Sequence, residues 1–145
     1  MFREISPSLC FDFSEARVLV VERSESYSEI LVQMLMGFGF RKFTRLSGEV
    51  TPAALDAGPA GPALVVADLG ANDEPDTDLI ARIREIDAAT QRSTALIGTA
   101  VNPSVDFVTS VKTCGADFIL VKPFSPTTLL KRILWVATAE AAPNR

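Results

Sequence analysis

The chain has 145 residues, 48% of them hydrophobic, which is enough for one sizeable core and argues for a single folded domain. Its 14 basic and 18 acidic residues leave a net charge of −4 with no basic block, which argues against an electrostatic nucleic-acid footprint; no apolar run reaches membrane-spanning length, and Met1–Ile5 lacks the layout of a secretion signal. Histidine is absent, so a Ser-His-Asp or Cys-His hydrolase, histidine-ligated zinc and a phosphohistidine step on this chain are excluded, while the two distant cysteines, Cys10 and Cys114, suit a reduced, cytoplasmic protein.

Residues 1–16 form an extension carrying Phe2, Ile5, Leu9, Phe11 and Phe13, expected to pack on the body or hang loose rather than to act as a docking arm. The apolar run Val18–Val21 predicts a first strand. Ser24 then caps a helix with Tyr27, Leu31, Met34, Leu35 and Phe38 on one face, and Gly37 and Gly39 mark its end. Lys42–Leu46 alternates, as an edge strand does. Thr51-Pro52 opens a short helix that Gly58-Pro59 stops. Ala63–Ala67 predicts the third strand, and Asp78–Ile86 a helix with Leu79, Ile80, Ile83 and Ile86 at helical spacing. After a fourth strand at Ala95–Ile97, Pro103-Ser104 opens a helix with Val105, Val108 and Val111 inward and Gly115 beyond its end. Phe118–Val121 is the fifth strand. Pro126 begins a last helix, running to about Ala139 through Leu129, Leu130, Ile133 and Leu134, with 140–145 as a tail.

The central runs are continuous rather than alternating, so helices must cover both faces of a parallel sheet. The expectation is a five-stranded, doubly wound α/β domain over 17–139. Sites in such sheets lie beyond the carboxyl ends of the strands, where strand order reverses. Those ends carry Glu22 and Arg23, then Asp68, Thr99 and Lys122. Each has a plainer reading: Asp68 as a loop cap, Thr99 as a β-former, Lys122 as a solvated charge. Converging on one edge, they suit a nucleophilic carboxylate that accepts a phosphoryl group, with a hydroxyl and an ammonium to receive its oxygens.

The stretches LVVADLG, LIGTA and CGADFILVKPF, in that order, resemble the receiver domain of two-component response regulators from about Arg17 to Ala139. The resemblance implies a flavodoxin-like sheet of order 2-1-3-4-5, Asp68 as phospho-acceptor, Thr99 and Lys122 as partners of the phosphoryl group, and a cis bond at Lys122–Pro123. It implies a histidine kinase or phosphotransfer protein as donor. A downstream protein would be met by the fourth helix, fifth strand and fifth helix, around Phe107, Ile119 and Lys131, with pairing of two copies left open.

The pattern departs where receivers place two acids that help hold magnesium. Glu22 and Arg23 stand there, so two carboxylates face two cations, and a metal site on Glu22, Asp68 and the Gly70 carbonyl is weakened. Arg23 could pair with Asp68, neutralise phosphoryl oxygens or swing into solvent. Ile119 stands where many receivers carry a switch aromatic, with Phe118 on the opposite face. The loop LGANDEPDTD lacks the customary Met-Pro, and Asn72, Asp73 and Glu74 read as solvated loop residues.

Two functions follow: a single-domain receiver phosphorylated on Asp68 with altered or weak magnesium dependence, or a phosphorylation-independent pseudo-receiver acting as a scaffold. Neither is an enzyme in the ordinary sense. A nucleotide or flavin site would want a glycine-rich phosphate loop, which VERSES does not supply, and an aspartyl phosphatase would want an acid where Gly70 stands.

Overall fold

The computed structural model describes residues 3–4, 11–47 and 62–141. The helix expected at Thr51–Gly58, together with Phe2, Ile5, Leu9, Cys10 and the last four residues, lies outside these. Two short strands, β1 (Arg3–Glu4) and β2 (Phe11–Asp12), pair antiparallel. The chain then enters β3 (Arg17–Val21), α1 (Glu25–Phe38), β4 (Lys42–Leu46), β5 (Leu64–Ala71), β6 (Glu74–Pro75) and α2 (Thr77–Thr90). It ends with β7 (Ala95–Val101), α3 (Val105–Cys114), β8 (Phe118–Val121) and α4 (Pro126–Ala141).

The parallel strands lie in the order β4-β3-β5-β7-β8, which is the expected 2-1-3-4-5, with β6 an antiparallel addition to the end of β5. Register runs through Val20↔Val66, Val66↔Ile97 and Ile97↔Phe118, so the strand ends line up along one edge. Because side chains alternate, each continuous apolar run feeds two cores. Val18, Val20, Leu64, Val66, Ile97 and Leu120 pack on one face against Leu31 and Leu35 of α1 and Leu129 and Ile133 of α4. Leu19, Val21, Val65, Ala67 and Leu96 pack on the other against Ile80 and Ile83 of α2 and Phe107 and Val111 of α3.

The caps fall where side-chain chemistry wants them. The Ser24 hydroxyl accepts from Tyr27 N at 3.3 Å, and Gly39 closes α1 at φ 112°. The described end of the extension joins the body: Phe13 is buried and stacks on Phe40, with ring centroids 4.4 Å apart.

Two expectations fail in α3. Val105, read as inward, is 82% exposed, and Phe107, read as part of a contact face, is 1% exposed. Phe107 and Val111 stand one turn apart and set the helix phase through the larger ring, which turns Val105 to the opposite side. Helix α2 starts at Asp76, whose carboxylate accepts from Leu79 N at 3.1 Å. Its Arg84 forms a half-buried clamp: Nε and Nη2 donate to the Gly115 carbonyl at 3.0 and 2.6 Å, and Nη1 to the Thr94 carbonyl and Asp87 at 2.6 and 2.9 Å.

Candidate functional site

Glu22 leaves β3 with its amide bonded to the Leu46 carbonyl at 3.0 Å, and only 3% of it is exposed. Both carboxylate oxygens are engaged. Oε2 accepts from Ser24 N at 3.0 Å, and Oε1 accepts from Lys122 Nζ at 2.6 Å. Lys122 comes from the end of β8, where its amide is bonded to the Ala100 carbonyl at 2.8 Å and its bond to Pro123 is cis. The same ammonium lies 3.6 Å from Asp68 Oδ1, so one cation bridges two carboxylates contributed by neighbouring strands. Ladder pairing sets Asp68 directly opposite Thr99. The Thr99 side chain is fully buried, and its hydroxyl has no hydrogen-bond partner among the described residues.

Asp68 is further fixed by its own loop. Oδ1 accepts from Gly70 N at 3.1 Å, and Gly70 adopts φ 113°. A Cβ there would lie 2.5 Å from the Glu74 carbonyl oxygen, so glycine is what lets β5 fold back onto β6. This hairpin stands where the customary Met-Pro is missing. It is also sewn to the loop beyond Thr99: Asn72 N donates to the Val101 carbonyl at 3.0 Å, and Ser104 N donates to the Asn72 carbonyl at 2.9 Å. The exposed Asn72 therefore ties the two loops together through its backbone.

Arg23 does not join Asp68. It is exposed, makes no ion pair among the described residues, and lines a pocket of about 350 Å³ with Glu22, Glu25, Ser28, Arg45, Leu46 and Ser47. The cation that meets the acids is Lys122, delivered from 100 residues further along the chain.

Tyr27, read from sequence only as an inward residue of α1, belongs to the site. Lys122 Nζ lies over its ring, 4.7 Å from the centroid, and Phe124 meets the ring edge-on at 6.0 Å. Its hydroxyl is buried without a hydrogen-bond partner among the described residues. Burial first, and the Glu22 carboxylate second, push the phenol above its ordinary pKa; the Phe124 backbone opposes this without reaching hydrogen-bond geometry. The one sequence signal was position: Tyr27 sits in the first turn of the helix that follows Glu22.

As they stand, these groups fit a magnesium ion poorly. Such an ion needs near-octahedral oxygen ligands, and Glu22 has both oxygens committed, one to an ammonium. The Asp68 oxygen that faces Gly70 N also lies beside Lys122, and the position after Glu22 carries a cation.

No protein-family model and no curated protein matches the chain. Solved structures do. The chain is similar to the Vibrio cholerae chemotaxis protein CheY4, with a TM-score of 0.68 and 24% identity over 83% of this chain and 98% of that one. It is similar to a response regulator receiver protein from Pseudomonas putida, with a TM-score of 0.65 and 25% identity over 81% and 94%. It spans about half of the response regulator DrrB of Thermotoga maritima, an OmpR/PhoB homolog, with a TM-score of 0.66, 21% identity and coverage of 86% and 54%.

Proposed function

We propose that this chain, whose fold is that of response regulator receiver domains, accepts a phosphoryl group on Asp68 and signals through contact with another protein. An Asp68 oxygen attacks phosphorus in a phosphohistidine or acyl phosphate. The P–N or P–O bond breaks, its electron pair leaves with the donor, and an acyl phosphate remains on Asp68. The Lys122 ammonium and the Thr99 hydroxyl then donate to the phosphoryl oxygens. The observation that carries this reading is the buried Thr99 hydroxyl, unpartnered among the described residues and one strand across from Asp68. A group kept at the cost of an unmade hydrogen bond fits a site that receives oxygens.

The engagement of both Glu22 oxygens supports transfer with little dependence on magnesium. The donor is a histidine kinase or phosphotransfer protein. The output surface lies on α3, β8 and α4, where Val105, Val121 and Trp135 are at least half exposed beside Lys131. A second reading, a scaffold that works without phosphorylation, draws on the same Lys122–Glu22 pair, since a bridge already closed resembles a resting arrangement.

Incubation with acetyl phosphate, with and without magnesium, followed by intact mass, tests the proposal. The expected result is one added phosphate in both conditions, abolished by Asp68→Asn. No added mass in either condition overturns the acceptor reading and leaves the scaffold. Phosphate that strictly requires magnesium overturns the weak metal dependence.

A further inference from the structure

Lys122 has three neighbours at the site: Glu22 at 2.6 Å, Asp68 at 3.6 Å and the Tyr27 ring at 4.7 Å. The ring face helps to hold the ammonium between the two acids, and Phe124 backs the ring from its edge. Ring packing alone does not account for tyrosine, because phenylalanine would fill the same space without burying an unsatisfied hydroxyl.

Phosphorylation makes the missing partner legible. Once Asp68 becomes an acyl phosphate, the strongest anion near Lys122 is the phosphoryl group, and the ammonium already stands beside that carboxylate. Glu22 cannot follow. Its backbone is tied to Leu46, its side chain to Ser24 N, and it is buried. As Lys122 leaves, Glu22 becomes a buried carboxylate short of one donor, an arrangement that is costly unless another donor arrives.

We infer that Tyr27 is the positioning residue that holds Lys122 between the two carboxylates, and that its hydroxyl becomes the donor to Glu22 when Lys122 moves to the phosphoryl group. This assignment rests on the reading of Asp68 as acceptor.

The experiment uses the full chain with acetyl phosphate, intact mass, and ultraviolet difference spectra; Tyr27 is the only tyrosine, so the tyrosine band has one origin. The unsubstituted chain is expected to gain phosphate together with a red-shifted tyrosine difference band, as a phenol gives when it begins to donate to a carboxylate. Tyr27→Phe, which keeps the ring but removes the donor, is expected to lack the band and to phosphorylate more slowly by about threefold; Tyr27→Leu, which loses the ring as well, is expected to be slower by about tenfold. Independently of any donor, the Lys122 ε-methylene resonance should be shifted upfield by the ring in the unsubstituted chain and in Tyr27→Phe, but not in Tyr27→Leu. Added phosphate without the band overturns the hydroxyl role. Equal rates for the two variants, or an unshifted Lys122 resonance, overturn the positioning role. No added mass in the unsubstituted chain overturns the acceptor reading itself and the hydroxyl role with it, while the lysine resonance still reports on the cradle.

Discussion

Lys122→Met removes the cation from a bridge whose Glu22 end is 2% and Lys122 end 13% exposed in their side chains. At 2.6 Å and an effective dielectric constant of about 20, the direct attraction is about 6 kcal/mol. Desolvating two ions costs several kcal/mol each, so the intact pair contributes little net stability. Removing one end is different, because the desolvation of the other end stays and nothing offsets it. Glu22 keeps Ser24 N but loses its stronger partner, which places the cost near the lower end of the usual range, at about 3 kcal/mol. For a domain of this length that corresponds to a fall in Tm of about 10 °C. Glu22→Gln preserves shape, but its single acceptor oxygen cannot serve both Lys122 and Ser24 N, so one donor is left facing the amide NH2 and the change should cost about 2 kcal/mol. In Glu22→Gln/Lys122→Met neither charge of the Lys122–Glu22 pair is left, so the double variant should be more stable than Lys122→Met alone. Urea unfolding of the four chains gives the coupling directly. A coupling energy below about 0.5 kcal/mol would mean that the pair is not closed in solution, and the account of the site would fail with it.

Three further outcomes follow from packing. Phe107→Ala should destabilise the fold by about 3–5 kcal/mol while Val105→Ala stays within about 0.5 kcal/mol, as urea midpoints will show; the reverse order would restore Phe107 to the surface. Gly98→Ala should cost about 1–3 kcal/mol in thermal unfolding, because the new Cβ meets the end of the Leu69 side chain and lies 2.9 Å from its Cγ. Arg84→Lys should lose about 2 kcal/mol or more, since an ammonium cannot serve the Gly115 and Thr94 carbonyls and Asp87 together; a urea midpoint unchanged from the unsubstituted chain would refute the clamp.

Much of the fold was legible because it rests on local regularities. Continuous runs such as Val18–Val21 and Ala63–Ala67 give strands buried on both faces, and Ser24 and Ser104 cap their helices by accepting from backbone amides a few residues on. The hairpin after Asp68 was missed because β6 is only two residues long, and its existence depends on Gly70 taking a positive φ against Glu74. The phase of α3 was misjudged because three valines at plausible spacing gave no hint that one phenylalanine would decide which side faces the sheet.

The site divides along the same line. Strand-end position alone selected Asp68, Thr99 and Lys122, because a parallel sheet delivers the carboxyl ends of all its strands to one edge whatever the details of packing. Which cation meets which acid depends on side-chain direction and on distances across separate strands, and no local pattern encodes either. Arg23 is next to Glu22 in sequence, yet it turns outward, because successive residues leaving a strand point to opposite sides. Lys122, far away in sequence, is carried by β8 to within a hydrogen bond of Glu22, and the ring of Tyr27 meets it there. The amino-acid order determined the sheet, its edge and the residues that stand on it; only the tertiary structure decided that lysine, rather than arginine, bridges the two carboxylates.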